Sequence, residues 1–230
     1  MTGKIYGVGV GPGDPELLTL KAQRLMRSAD VIAIPGKDPG SCTAYKIAVQ
    51  AVPEIREKKT VPVVFPMTKD ERILEKSHEE GAERIASFLS EGKDVVFLTL
   101  GDPTVYSTYL YLHKKLKSRG FQSEIVSGVP SFCAAAARLG ISLGEKSDSI
   151  HILPGSYPDT EGAALSGTKI FMKSGSQIGA VKKALLEQGL HAVMVENCGM
   201  EGERIFSGTE TIPEEAGYYS LIIAREHEEA

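Results

Sequence analysis

Short apolar runs rich in β-branched residues alternate along this chain with longer stretches in which apolar residues return every three or four positions. The short runs predict strands over residues 4–10, 31–34, 61–65 and 95–100, and the longer stretches predict helices over 15–28, 43–51, 70–90 and 104–119. In the third helix, Ile73, Leu74, Ile85, Phe88 and Leu89 fall close to one face at helical spacing. Strands apolar on both faces and separated by helices imply a parallel sheet of βαβ units. The second half keeps the alternation with more glycine, predicting strands over 123–126, 150–153, 169–172, 192–196, 204–206 and 219–224 and helices over 131–139 and 178–188. The last strands lie close together in sequence, which favours antiparallel pairing, so the second sheet is expected to be mixed. A boundary near Gly120 divides the chain into two α/β domains, 1–120 and 121–230, with a cleft between them.

Composition narrows the class. With 230 residues, 42% hydrophobic and 24% charged, the chain has the balance of a soluble globular enzyme. The net charge of −4, with no basic run longer than Lys114-Lys115 or Lys182-Lys183, argues against a general nucleic-acid binder. Cys42, Cys133 and Cys198 are odd in number and far apart, which suits a reducing compartment better than a disulfide framework. No apolar stretch approaches the roughly 18 residues of a membrane span, and no signal pattern opens the chain, so a cytoplasmic location is expected. The histidines His78, His113, His151, His191 and His227 form no compact ligand cluster, and no protein-bound metal is expected.

The chemistry is concentrated in glycine-rich turns that follow predicted strands. Gly7-Val8-Gly9-Val10-Gly11-Pro12-Gly13-Asp14-Pro15 has glycines at alternate positions, which removes side chains where the backbone must come close to something. Asp14 and Pro15 supply a cap and a pre-set first helical residue. The spacing is not the dinucleotide fingerprint, because Pro12 or Asp14 stands where the third glycine belongs. Proline donates no amide and the aspartate repels a pyrophosphate, so a ligand without phosphate is expected. Leu100-Gly101-Asp102-Pro103-Thr104-Val105-Tyr106 follows the strongest strand of the first half, at the end of a parallel sheet where ligands usually bind. Ser127-Gly128-Val129-Pro130-Ser131-Phe132-Cys133 opens the next helix in the same manner, with Cys133 read as a buried structural thiol. Met172, ending a strand before Lys173-Ser174-Gly175, is able to pack against a flat ring.

Taken in order, these three loops resemble the tetrapyrrole methylases, the class III methyltransferases that use S-adenosylmethionine, and the resemblance covers essentially the whole chain. Residues 33–48 and the run Ala134-Ala135-Ala136-Ala137-Arg138-Leu139-Gly140-Ile141 look most like the C20-methyltransferases of cobalamin biosynthesis, which act on precorrin-2 or cobalt-factor II. The third loop departs from the family, since it reads S-G-V-P where P-G-V is usual. The resemblance implies two α/β domains, a homodimer, and the cofactor bound in the cleft. Carried over residue by residue, it assigns Pro12, Gly101, Asp102, Val105, Ser131, Phe132, Met172, Cys198 and Ser220 to the cofactor, with Asn197 and Tyr219 on the same segments.

The implied reaction is an in-line displacement by an electron-rich meso carbon of the macrocycle, so the protein chiefly aligns the partners. That carbon then loses a proton, for which Asp102 or Tyr106 is the expected acceptor, with solvent as the alternative. Lys37, Lys46, Arg138 and Lys173 are candidates for neutralising the substrate carboxylates. The competing readings are a C11, C17 or uroporphyrinogen-III methyltransferase, and a tetrapyrrole-binding module without turnover.

Overall fold

The strands β1 (Lys4–Gly9), β2 (Val31–Pro35), β3 (Lys59–Val63), β4 (Val95–Thr99) and β5 (Gln122–Val126) form one sheet in the order β3-β2-β4-β1-β5. Every neighbouring pair in it is parallel. The computed structural model describes residues 1–155 and 159–226, so His227 lies outside the described residues. Four helices, α1 (Leu20–Ser28), α2 (Thr43–Ala51), α3 (Glu71–Ser90) and α4 (Tyr109–Ser118), make the crossovers. Because side chains alternate across a strand, Val96 and Leu98 of β4 pack with Leu25 and Met26 of α1 and Ile47 of α2, while Val95 and Phe97 pack with Ile85 and Leu89 of α3 and Leu112 of α4. The sheet is therefore covered by α1 and α2 on one face and by α3 and α4 on the other. This is the doubly covered parallel sheet that the apolar strands predict.

The second sheet follows the order β6-β7-β10-β8-β9, from β6 (Ile150–Pro154), β7 (Thr168–Met172), β8 (His191–Glu196), β9 (Arg204–Ser207) and β10 (Ser220–Arg225). Only β6 and β7 pair parallel, and the other three ladders are antiparallel, which makes the sheet mixed. Its helices are α5 (Ser131–Leu139), α6 (Asp159–Ala163) and α7 (Ile178–Glu187). Ala135 and Ala136 of α5 pack on Ile170, Val195, Leu221 and Ile223. Ile178, Val181 and Leu185 of α7 pack on Phe171, Met194 and Ile222 from the other side.

Local chemistry moves several boundaries from their expected places. The chain divides into compact units at Met1–Pro130 and Ser131–Ala230, ten residues beyond Gly120. The turn at Gly120 ends only a helix, because β5 returns to pair with β1 along its length. The helix expected over 15–28 breaks in two. Asp14 caps a single 3-10 turn at Pro15–Leu17, Leu18 is extended, and the Thr19 hydroxyl then caps α1 by accepting the Ala22 amide at 3.1 Å. The helix expected over 104–119 starts only at Tyr109, since Tyr106 sits at φ 48, a left-handed conformation through which no helix continues. Cys133 is exposed rather than buried, because α5 turns its neighbours Ala134, Ala135 and Ala136 inward.

Candidate functional site

In the first unit the chain leaves β1 for α1 on one face and leaves β4 for α4 on the other. These two strands are neighbours, so their carboxyl ends form a switch point of the kind at which open α/β sheets bind ligands. The two loops that emerge there are joined by backbone. Val10 N donates to Thr99 O at 2.9 Å, Gly101 N to Gly11 O at 2.8 Å and Gly11 N to Gly101 O at 3.3 Å. Pro12 and Gly101 are buried beside this bridge, and Val105 is half-buried.

The third loop joins them through glycine. A Cβ on Gly9 would stand 2.5 Å from Gly101 O and 2.6 Å from Gly128 N, and one on Gly128 would stand 2.3 Å from Gly101 O. The neighbours are backbone atoms that cannot swing aside, so any side chain at either position would drive the loops apart.

Asp102 lies among these loops and is only 6% exposed. Its Oδ1 accepts the Thr104 amide at 2.7 Å and the Thr104 hydroxyl at 2.5 Å, and its Oδ2 accepts the Gly128 amide at 3.0 Å. A buried carboxylate requires such donors to offset its lost hydration. Tyr106, four residues on, is 44% exposed in its left-handed conformation. A non-glycine residue held this way is uncommon and concentrates at functional loops.

The second unit carries the remaining predicted residues. Met172 ends β7 half-buried and packs, with Phe132 and Cys198, against the cluster of Ile170, Val195, Leu221 and Ile223. Burial pushes the Cys198 thiol up from its ordinary pKa, which disfavours its thiolate form. Ser131 is half-buried at the start of α5. Ser220 is buried and its hydroxyl donates to Gly217 O at 2.8 Å. Asn197, at φ 53, donates its backbone N–H to Tyr219 O at 3.0 Å, which links the turn after β8 to the start of β10.

Sequence reasoning missed Glu196. This carboxylate is 5% exposed at the end of β8, accepts the Gly217 amide at 2.7 Å and is paired with Arg204, whose Nε lies 2.7 Å away. It therefore holds the segment leading to Tyr218, Tyr219 and Ser220 much as Asp102 holds Gly128. A lone acid closing the apolar run Ala192-Val193-Met194-Val195 was the available signal.

Of the candidate cations, Lys37 and Lys46 are exposed in the first unit, the latter on α2. In the second unit Arg138 is ion-paired to Glu203 at 2.7 Å, and Lys173 follows Met172 with φ 59. Among the described residues no group of three His, Cys, Asp or Glu side chains is able to hold a metal ion, and no helix is long and apolar enough to cross a membrane.

Comparison with known proteins places this geometry. The chain is 41% identical over 152 residues, 66% of its own length, to the probable cobalt-precorrin-2 C(20)-methyltransferase of Methanocaldococcus jannaschii, and that match spans 64% of the archaeal protein, just under two thirds. It is 32% identical to the precorrin-2 C(20)-methyltransferase of a Sinorhizobium species, over 96% of this chain and 94% of the relative. Among solved structures, the uroporphyrin-III C-methyltransferase of Thermus thermophilus in complex with S-adenosylhomocysteine superposes with a TM-score of 0.72 at 27% identity, covering 97% of this chain and 98% of the other. The sequence profile of the Tetrapyrrole (Corrin/Porphyrin) Methylases matches residues 4–213, and the chain belongs to that family.

Proposed function

We propose that this protein transfers a methyl group from S-adenosylmethionine to C20 of a precorrin-2-level macrocycle in cobalamin biosynthesis. The observation that carries the reading is the state of the loop amides at the switch point. The N–H groups of Gly11, Gly101, Thr104 and Gly128 are all engaged by protein oxygens. These four amides are not free to cradle a phosphate, which suits a cofactor that has none. Sequence similarity to two C20-methyltransferases, one named for the cobalt form and one not, supports the position of methylation.

We assign Pro12, Gly101, Asp102 and Val105 of the first unit and Ser131, Phe132, Met172, Cys198 and Ser220 of the second to the cofactor. The bound cofactor supplies an electrophilic methyl on a sulfonium. The new carbon–carbon bond forms as the carbon–sulfur bond breaks, S-adenosylhomocysteine leaves, and C20 loses its proton. Tyr106 is favoured over Asp102 as the route for that proton, because the Tyr106 side chain is exposed while both Asp102 oxygens are occupied. Its hydroxyl takes the proton on oxygen and releases its own to water. The protein's main contribution is alignment of carbon, methyl and sulfur.

We further assign the protein to the cytoplasm as a homodimer; the first rests on three free cysteines and the second on family membership. Sedimentation equilibrium tests the dimer. The decisive assay supplies labelled S-adenosylmethionine anaerobically with metal-free and cobalt-loaded precorrin-2-level macrocycles, and weighs the products. A gain of one methyl on either macrocycle is the expected result, and the macrocycle that gains it identifies the substrate. No gain on either, with the cofactor bound, overturns the C20 assignment in favour of a later corrinoid or uroporphyrinogen III.

A further inference from the structure

We infer that Asp102 is a positioning residue that sets the third loop through the Gly128 amide, with Thr104 completing the clamp. The inference deepens the cofactor site proposed above and rests on that reading for its effect on binding.

A carboxylate offers about four acceptor positions, and three donors already occupy those of Asp102: Thr104 N, Thr104 Oγ1 and Gly128 N. A proton on the remaining position of Oδ2 would neutralise the carboxylate and weaken its hydrogen bond to the Gly128 N–H. To accept one on Oδ1 the group would displace a donor of Thr104. Proton transfer to Asp102 therefore weakens the clamp that holds the loop, and the residue serves it best as an ionised acceptor.

What the clamp fixes is also visible. Gly128 lies against Gly9 and Gly101 O with no room for a Cβ, so a small drift of the third loop opens the three-loop contact. The sequence Ser127-Gly128-Val129-Pro130 lacks a proline ahead of Gly128 that would stiffen the approach. The hydrogen bond from Asp102 supplies that order from the side. Two residues beyond Gly128 the chain leaves the first unit, so the clamp acts on the last anchored segment of that unit.

Asp102→Asn tests this directly. Either orientation of the amide sets an N–H donor against Thr104 N or Gly128 N, so one side of the clamp is lost and the other is left on a neutral, weaker acceptor, with almost no change of volume. Three readouts are needed: hydrogen exchange of a peptide covering residues 126–131, the dissociation constant for S-adenosylhomocysteine, and the pH profile of kcat. The expected result is exchange faster by about 10- to 100-fold, the range for losing a hydrogen bond to a charged group. Binding is expected to weaken in the same range, while the pH profile keeps its shape.

Thr104→Val removes one donor and is expected to give a smaller change of the same kind, about tenfold or less. Unchanged exchange at residues 126–131 overturns the clamp, as does loss of the acidic limb of the pH profile with S-adenosylhomocysteine affinity intact. If Asp102→Asn does not fold, Thr104→Val decides by the same readouts. The exchange arm needs neither substrate nor turnover, so it separates failure of the clamp from failure of the methyltransferase reading.

Discussion

At the scale of single residues, the alternate glycines of the first loop were legible in the sequence as places where a backbone comes close to something. What comes close is the protein itself: Gly9 is closed off by Gly101 O and Gly128 N. No local pattern discloses such a partner, because Gly128 is separated from Gly9 by almost the whole first sheet. The same holds for Glu124, which reads as an ordinary polar position on a strand. Its carboxylate accepts Lys21 Nζ at 2.6 Å and Lys4 Nζ at 2.5 Å, and these hydrogen bonds hold its pKa at about 2, well below the ordinary value of 4.5. A depressed carboxylate stabilises the fold above its unfolded pKa and loses that contribution as pH falls through the folded value. The loss is therefore expected between about pH 4.5 and pH 2. The Glu124 side chain is 31% exposed and that of Lys21 51%, so solvent screening reduces the effect to about 1–2 kcal/mol. Urea titrations of the parent and Glu124→Gln at pH 7 and pH 3 check this: the gap between the two proteins should be present at pH 7 and narrow at pH 3. A gap that is constant with pH would show that the ion cluster does not set it.

At the scale of elements, periodicity located the helices and strands, but local capping and backbone conformation decided where α1 and α4 begin. The Thr19 cap starts α1 and the left-handed Tyr106 delays α4, and hydrophobic spacing encodes neither. Strand order was also beyond local pattern, since β10, last in the chain, lies between β7 and β8. The attachment of the edge strand β5 shows how elements are tied once placed. Tyr109 of α4 is fully buried, its hydroxyl donates to Glu124 O at 2.9 Å and pairs with Ser123 Oγ at 2.8 Å, and burial pushes its pKa up to about 12. His113, one turn later on α4, reaches the same Ser123 Oγ from Nδ1 at 2.7 Å. Tyr109→Phe keeps the ring contact with Phe97 and deletes only the hydroxyl. It leaves the half-buried Glu124 carbonyl without that donor, at an expected cost of about 0.5–1.5 kcal/mol. Chemical denaturation measures the cost, and hydrogen exchange should show the loss concentrated in β5. Uniform destabilisation without faster exchange in β5 would mean that the hydroxyl does not anchor the strand.

At the scale of the whole molecule, ligand chemistry should be readable as stability. A ligand that binds only the folded state adds RT ln(1 + [L]/Kd), about 2.7 kcal/mol at a hundredfold excess over Kd. For a chain of this size each kcal/mol moves the melting temperature by about 2–4 °C, so S-adenosylhomocysteine at that excess should raise it by about 5–11 °C. ATP shares the adenosine but brings a triphosphate, and the loops at the carboxyl ends of β1 and β4 receive it poorly. Their amides at Gly11, Gly101 and Thr104, like that of Gly128 after β5, already donate within the protein, and the Asp102 carboxylate lies among them. Equal concentrations of ATP should therefore leave the melting temperature within about 1 °C of the free protein, since a ligand without affinity for the folded state contributes nothing. Protection by ATP equal to that by S-adenosylhomocysteine would contradict the phosphate-free reading drawn first from Pro12 and Asp14 and then from the engaged amides. Protection by S-adenosylhomocysteine alone would show that the restriction foreseen in the spacing of one glycine-rich loop governs the ligand choice of the folded protein.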